Sequence, residues 1–118
     1  MKVRCTRLAS AATGEDQVES ALRVGSLYSV LEIEFGPSER ILLRILDDDA
    51  NTPGVWPVSM FEFVSSAVPP NWYLQANSDG TMRVAPRAWL REGFWERFFD
   101  RDPAAEAEYR LELPGLTS

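Results

Sequence analysis

The sequence predicts a strand-dominated α+β fold: a small, bent antiparallel sheet with one or two short helices packed on it near the C-terminus. Three observations carry this. Short runs alternate apolar and polar residues along most of the chain. Turn sequences built on glycine, proline, asparagine and aspartate separate those runs. The clearest helical spacing, Leu90, Phe94 and Phe98, comes late. At 118 residues, with 45% apolar and 25% charged content, the chain has the size and composition of a single domain spanning 1–118, and no internal repeat or linker divides it.

Met1 to Leu8 reads as a first strand, with Met1, Val3 and Cys5 on one face and Lys2, Arg4 and Thr6 on the other. Ala9 to Asp16 is small and polar around Gly14, a loop by composition. Val18, Ala21 and Leu22 match one helical turn within Gln17 to Val24, too short to define a helix before Gly25 breaks it. Ser26 to Phe35 alternates best: Leu27, Leu31, Ile33 and Phe35 fall on one side, Tyr28, Val30, Glu32 and Glu34 on the other. Gly36-Pro37-Ser38 then turns the chain into Arg40 to Leu46, an antiparallel partner strand. Asp47 to Gly54 is a polar loop, and Val55-Trp56-Pro57 followed by Met60 to Val64 reads as a bent strand whose Pro57, lacking an N–H, belongs at an edge or turn.

Ala67 to Asn71 is a stiff, proline-bearing loop. Trp72 to Ala76 and Thr81 to Ala85 flank Asn77-Ser78-Asp79-Gly80, a second hairpin. Pro86 can open a helix at its first turn, and Gly93 divides it. Asp102-Pro103 is a second helix-start signal, after which Tyr109, Leu111 and Leu113 alternate as a last strand ended by Pro114.

The composition excludes several kinds of chemistry. There is no histidine, which removes Ser-His-Asp and Cys-His catalysis, His-ligated zinc and the imidazole base together. The net charge of −6 repels polyanions and argues against a nucleic-acid partner. Cys5 is the single cysteine, so no intrachain disulfide or multi-cysteine metal site forms, and its place on the apolar face predicts burial. Three basic residues within Lys2 to Arg7 interrupt what an export signal would keep apolar, and no stretch is long enough to span a bilayer, so the expected location is the cytoplasm, away from membranes.

Asp47-Asp48-Asp49-Ala50-Asn51 begins like a calcium loop, but the required glycine falls at Thr52 and the bidentate glutamate at Val58. No metal or cofactor is expected there. Glu32, Glu34 and Glu62 lie on strands, where solvent exposure explains them without a substrate; no catalytic residue is assigned, and no nucleotide or zinc-protease motif occurs. Arg87, Arg91, Arg97 and Arg101 interleave with Glu92, Glu96, Asp100 and Asp102, as on a salt-bridged helix surface. Aromatic residues crowd between Trp56 and Phe99, more than one short helix can bury.

Two stretches resemble known families. Leu27-Tyr28-Ser29-Val30-Leu31, Arg44-Ile45-Leu46-Asp47-Asp48, and Gly54-Val55-Trp56-Pro57 followed by Phe61-Glu62-Phe63-Val64 resemble the strand order of an SH3-like barrel. The paired tryptophans of peptide-binding SH3 domains have no counterpart. The Pro69-Pro70-Asn71-Trp72 block and Gly93-Phe94-Trp95-Glu96-Arg97-Phe98-Phe99-Asp100 look like a group of small uncharacterised bacterial proteins, some of them in toxin and immunity gene neighbourhoods.

The resemblance implies a non-enzymatic protein-binding domain, and most specifically an immunity-type inhibitor of a co-encoded, basic toxin. Asp47, Asp48 and Asp49 are the candidates for electrostatic steering, and Trp56, Trp72, Trp89, Trp95 and Phe99 for the aromatic contact surface. The competing classes are a small hydrolase or lyase working with Glu or Asp alone, and a structural subunit of a larger assembly.

Overall fold

The computed structural model describes residues 1–8, 21–47 and 53–117. Its strands are β1 (Lys2–Cys5), β2 (Leu27–Phe35), β3 (Ile41–Leu46), β4 (Val55–Pro57), β5 (Phe61–Ser65), β6 (Trp72–Ala76) and β7 (Met82–Pro86). Three helices follow: α1 (Phe94–Phe99), α2 (Pro103–Glu112) and α3 (Pro114–Thr117). Every strand pair is antiparallel, so the fold is the strand-dominated α+β class expected. The loop at Ala9 to Asp16 and most of the Gln17 to Val24 turn lie outside the described residues.

β2 is the spine of the sheet. One edge pairs with β3 along its length, while the other pairs first with β1 at Leu27–Ser29 and then with β7 at Ile33–Phe35. Between those partners the β2–β3 register shifts: Val30 faces Ile45 and Glu32 faces Arg44, which leaves Leu31 as the extra residue of a β-bulge. The bulge corrects the simple alternation read from the sequence. Val30 and Ile33 now belong to one core, while Leu31 and Glu32 turn to the opposite face. Leu27, expected on the apolar side, is 54% exposed.

The segment Val55 to Val64 is two strands rather than one, split by a 3-10 turn at Val58–Met60. In the path β4-β3-β2-β1-β5 those two strands are the outermost members. A three-residue link reaches only about 10 Å, so the path must curl until its ends approach. Pro57 sits on the outer strand β4, where its missing N–H costs no ladder bond. Inside the curl lie Val3, Cys5, Leu22, Tyr28, Val30, Leu43, Ile45 and Met60.

A second core forms between the opposite face and the C-terminal helices, with Leu31, Ala85, Trp89, Phe94, Trp95, Phe98 and Tyr109 at its centre. Pro86 ends β7 and leads into a 3-10 turn at Arg87–Leu90, rather than opening an α-helix. Gly93, at φ +77°, adopts the left-handed conformation that separates this turn from α1. Asp102 caps α2 by accepting from the Ala105 N–H at 3.1 Å, with Pro103 in the first turn.

The expected strand Tyr109 to Leu113 is helix. The cap and the strong helix formers after it carry α2 through Glu112, turning Ala105, Tyr109 and Leu113 toward the second core. Leu111, which a strand would have aligned with Tyr109, is 78% exposed.

Candidate functional site

The bulge at Leu31 carries Glu32 into the second core, where its side chain is completely buried. Solvent exposure, the expectation for this carboxylate, is therefore incorrect. Three polar or cationic contacts surround it. Arg83 Nη2 donates to Glu32 Oε1 at 2.9 Å, and Trp95 Nε1 donates to the same oxygen at 3.2 Å. Arg44 Nε lies 3.7 Å from Oε2, while Arg44 Nη2 stands 3.9 Å from Glu34 Oε1. Arg44 is held further by donating from Nη1 to the Pro53 carbonyl at 2.9 Å and by lying 4.0 Å above the Trp95 ring.

β2, β3, β7 and α1 thus each contribute one member of this cluster. Burial pushes the Glu32 carboxyl above its ordinary range, against the pull of Arg83 and Arg44. Burial likewise lowers Arg44, against Glu32 and Glu34. The charges remain together because each has desolvated its neighbour: the same environment that penalises them also strengthens their attraction.

Beside the cluster is a cleft of about 550 Å³, between the β2–β3 turn, β7 and the start of α1. Phe35, Leu42, Met82, Phe94 and Trp95 supply its apolar lining, while Arg40, Arg44, Arg83, Arg91, Glu34, Glu92 and Glu96 bring charge. Glu32 is not among the lining residues. The carboxyl that burial raises thus lies behind Arg83 and Trp95, outside the lining of the cleft. Among the described residues no group of three or more His, Cys, Asp or Glu is arranged to hold a metal ion.

The structure distributes the residues singled out by sequence among different roles. Trp89 is fully buried and Trp95 is 9% exposed, so both are core residues and not the surface anchors expected. Their burial follows from packing: Trp89 stacks on Tyr109 with centroids 5.2 Å apart, and Trp95 packs edge-on to Phe94 at 5.0 Å. Trp72 is half-buried against both cores. Trp56 is half-buried too, lying so close over Gly54 that a Cβ there would meet its Cη2 at 3.0 Å. Phe99 is exposed, at the end of an aromatic series running from Trp95, 5.9 Å away.

Asp47 is buried and accepts from the Gly54 N–H at 3.4 Å, which corrects its assignment to an open acidic loop. Asp48 and Asp49 lie outside the described residues. Cys5 is buried as expected, and that burial raises its thiol pKa, away from nucleophilic character. The interleaved Arg and acidic residues form no ion pair with one another among the described residues; Arg91 and Arg101 reach instead to α2, Arg91–Glu108 at 2.9 Å and Arg101–Glu106 at 3.8 Å.

Two strands expose apolar residues that local sequence pattern does not reveal, Phe63 and Val64 on β5 and Tyr73 and Leu74 on β6. Both strands were legible, but their outer position in the sheet depends on long-range pairing. Comparison with protein-family models, with curated proteins and with solved structures found no match. Fold and site define a small α+β protein of curled antiparallel sheet and C-terminal helices, with a bipolar cleft at their junction. No helix among the described residues is long and apolar enough to cross a membrane.

Proposed function

We propose that this chain is a non-enzymatic protein-binding domain for a basic partner, and within that class an immunity-type inhibitor of a co-encoded toxin. The cleft carries the reading. Three of its arginines are engaged within the protein, Arg44 and Arg83 by Glu32 and Arg91 by Glu108. The carboxylates of Glu92 and Glu96, by contrast, have no ion-pair or hydrogen-bond partner among the described residues. Those two carboxylates offer negative charge to an incoming group, in a chain of net charge −6. Apolar walls beside unengaged carboxylates suit a basic side chain with a hydrocarbon stem.

The sealed position of Glu32 favours binding over Glu- or Asp-dependent hydrolysis, since this carboxyl, which burial raises, does not line the cleft. We also read the unit β1 to β5 as SH3-like, a reading supported by the path β4-β3-β2-β1-β5 and the single 3-10 turn between its outermost strands.

Co-expression with the neighbouring gene product tests the functional reading, following growth and co-purification. Relief of growth arrest with co-elution is the expected result. The double variant Glu92→Gln/Glu96→Gln should then associate more slowly and with a flatter salt dependence. No toxicity and no co-elution would remove the immunity reading, and unaltered kinetics in the double variant would remove the cleft from it.

A further inference from the structure

Among the described residues, β4, β5 and β6 each have one unpaired edge. Two of them carry features that discourage strand addition. β4 is three residues long and ends in Pro57. β5 pairs with β1 through a register shift at Lys2/Val3, and its Glu62 is bridged to Arg4 at 3.1 Å. β6 has neither protection: Trp72-Tyr73-Leu74-Gln75-Ala76 contains no charge and no proline, and pairs with β7 in unbroken register. Tyr73 and Leu74, on its two faces, are 49% and 65% exposed.

The ladder shows which backbone groups face outward. Asn77 N–H donates to the Thr81 carbonyl at 2.8 Å, which makes Asn77–Thr81 a hydrogen-bonded pair. Alternation then makes Gln75–Arg83 and Tyr73–Ala85 the next such pairs. The N–H and C=O of Leu74 and Ala76 therefore point away from β7.

We propose that β6 pairs antiparallel with β6 of a second copy of this chain, about a two-fold axis at Leu74. The outward groups of Leu74 then bond reciprocally across the axis. Tyr73 faces Gln75 and Trp72 faces Ala76, large side chain against smaller, and no two charges are opposed despite the chain's net −6. The antiparallel direction also brings the turn bearing Asp79 to the end of the ribbon where the other copy carries Arg87, which follows Pro86, the partner of Trp72. An unrelated strand would need to reproduce this symmetry of register, volume and charge; a second copy has it already. No β6 residue lines the cleft, so the pairing is independent of the basic-partner reading.

Sedimentation velocity of the full chain over a concentration series tests the pairing, using wild type, Leu74→Lys and Val64→Lys, with circular dichroism to verify folding. Wild type should dimerise, Leu74→Lys should weaken the dimer at least about tenfold by setting like charges across the axis, and Val64→Lys should behave as wild type. Oxidised Leu74→Cys should yield a dimer joined through the two introduced thiols, because the Cα atoms of such a pair lie about 5.5 Å apart. This second variant decides the matter if the lysine variant fails to fold. A wild-type monomer at every concentration, or a dimer lost with Val64→Lys and kept with Leu74→Lys, overturns the proposal.

Discussion

The indole Nε1 of Trp72 donates to the backbone carbonyl of Leu31 at 3.1 Å, across 41 residues of sequence. Leu31 is the extra residue of the β2 bulge, where the ladder to β3 is interrupted. Its carbonyl is thereby provided with a donor from a residue that also packs against both cores. Trp72→Phe should cost about 1–3 kcal/mol by leaving that carbonyl unsatisfied, in addition to the smaller ring's lost contacts. Urea unfolding checks this, with Trp56→Phe as the comparison, since no indole hydrogen bond of Trp56 exists among the described residues and its loss should be smaller.

Arg83 is the closest cation to the buried Glu32, and its side chain is 22% exposed. Arg83→Met leaves the carboxylate with a weaker set of partners and should destabilise by about 3–5 kcal/mol at neutral pH. The pH trend follows from the direction of the Glu32 shift, which burial already makes upward and which the variant increases. A carboxyl raised in the folded state contributes stability below its unfolded pKa and loses it as pH rises through the folded value. The penalty of Arg83→Met should therefore be smallest near the unfolded carboxyl pKa of about 4 and grow toward neutrality. Denaturation curves at a series of pH values measure it; a penalty independent of pH would show that Glu32 is not the group responsible.

Tyr109 is 4% exposed, and its hydroxyl oxygen is buried with no hydrogen-bond partner among the described residues. Burial, reinforced by the Asp47 charge and opposed by Arg44, raises its pKa from 10.0 to about 12. The raised group contributes stability below pH 10 and loses it as pH climbs toward 12, a loss of about 2–3 kcal/mol across that interval. Tyr109→Phe should remove that component of the alkaline loss, which denaturation curves between pH 9 and 12 would register. At neutral pH the variant should equal or exceed wild type by about 1 kcal/mol, because it deletes a buried polar atom that has no partner among the described residues.

Asp102 starts α2, the helix that runs on through Tyr109 to Glu112, where residue alternation alone suggests a strand. Asp102→Ala removes the acceptor for the Ala105 N–H and should cost about 1 kcal/mol. Thermal unfolding followed by circular dichroism would register it as a lower midpoint, with near-native helicity retained at low temperature.

Local chemistry made most of the strands legible. The β2–β3 hairpin, the β6–β7 hairpin with Gly80 at φ +87°, and the division at Gly93 all rest on signals within a few residues. What escaped was set over distance. The Leu31 bulge exists because β2 must pair with β1 at one end of an edge and β7 at the other, and nothing in Leu-Tyr-Ser-Val-Leu-Glu announces that division. The fate of Glu32 followed from it. Tyr109 to Leu113 fits two periods, and only the second core distinguishes Leu113, packed against it, from the exposed Leu111. Trp89 and Trp95 looked like surplus aromatics because the sequence conceals that both are packed together with α2 in the second core.

The pairing of β1 with both β2 and β5 has a consequence for how the chain is assembled. β1 precedes both partners, and the nearer one begins at Leu27 while the farther one ends at Ser65. During synthesis β1 cannot complete its pairing until that second partner has emerged, whereas each hairpin can close as soon as its own turn is made. The slowest contact to form should accordingly be the one made by the earliest strand, and the inner core around Val3 and Cys5 closes only when the chain returns to where it started.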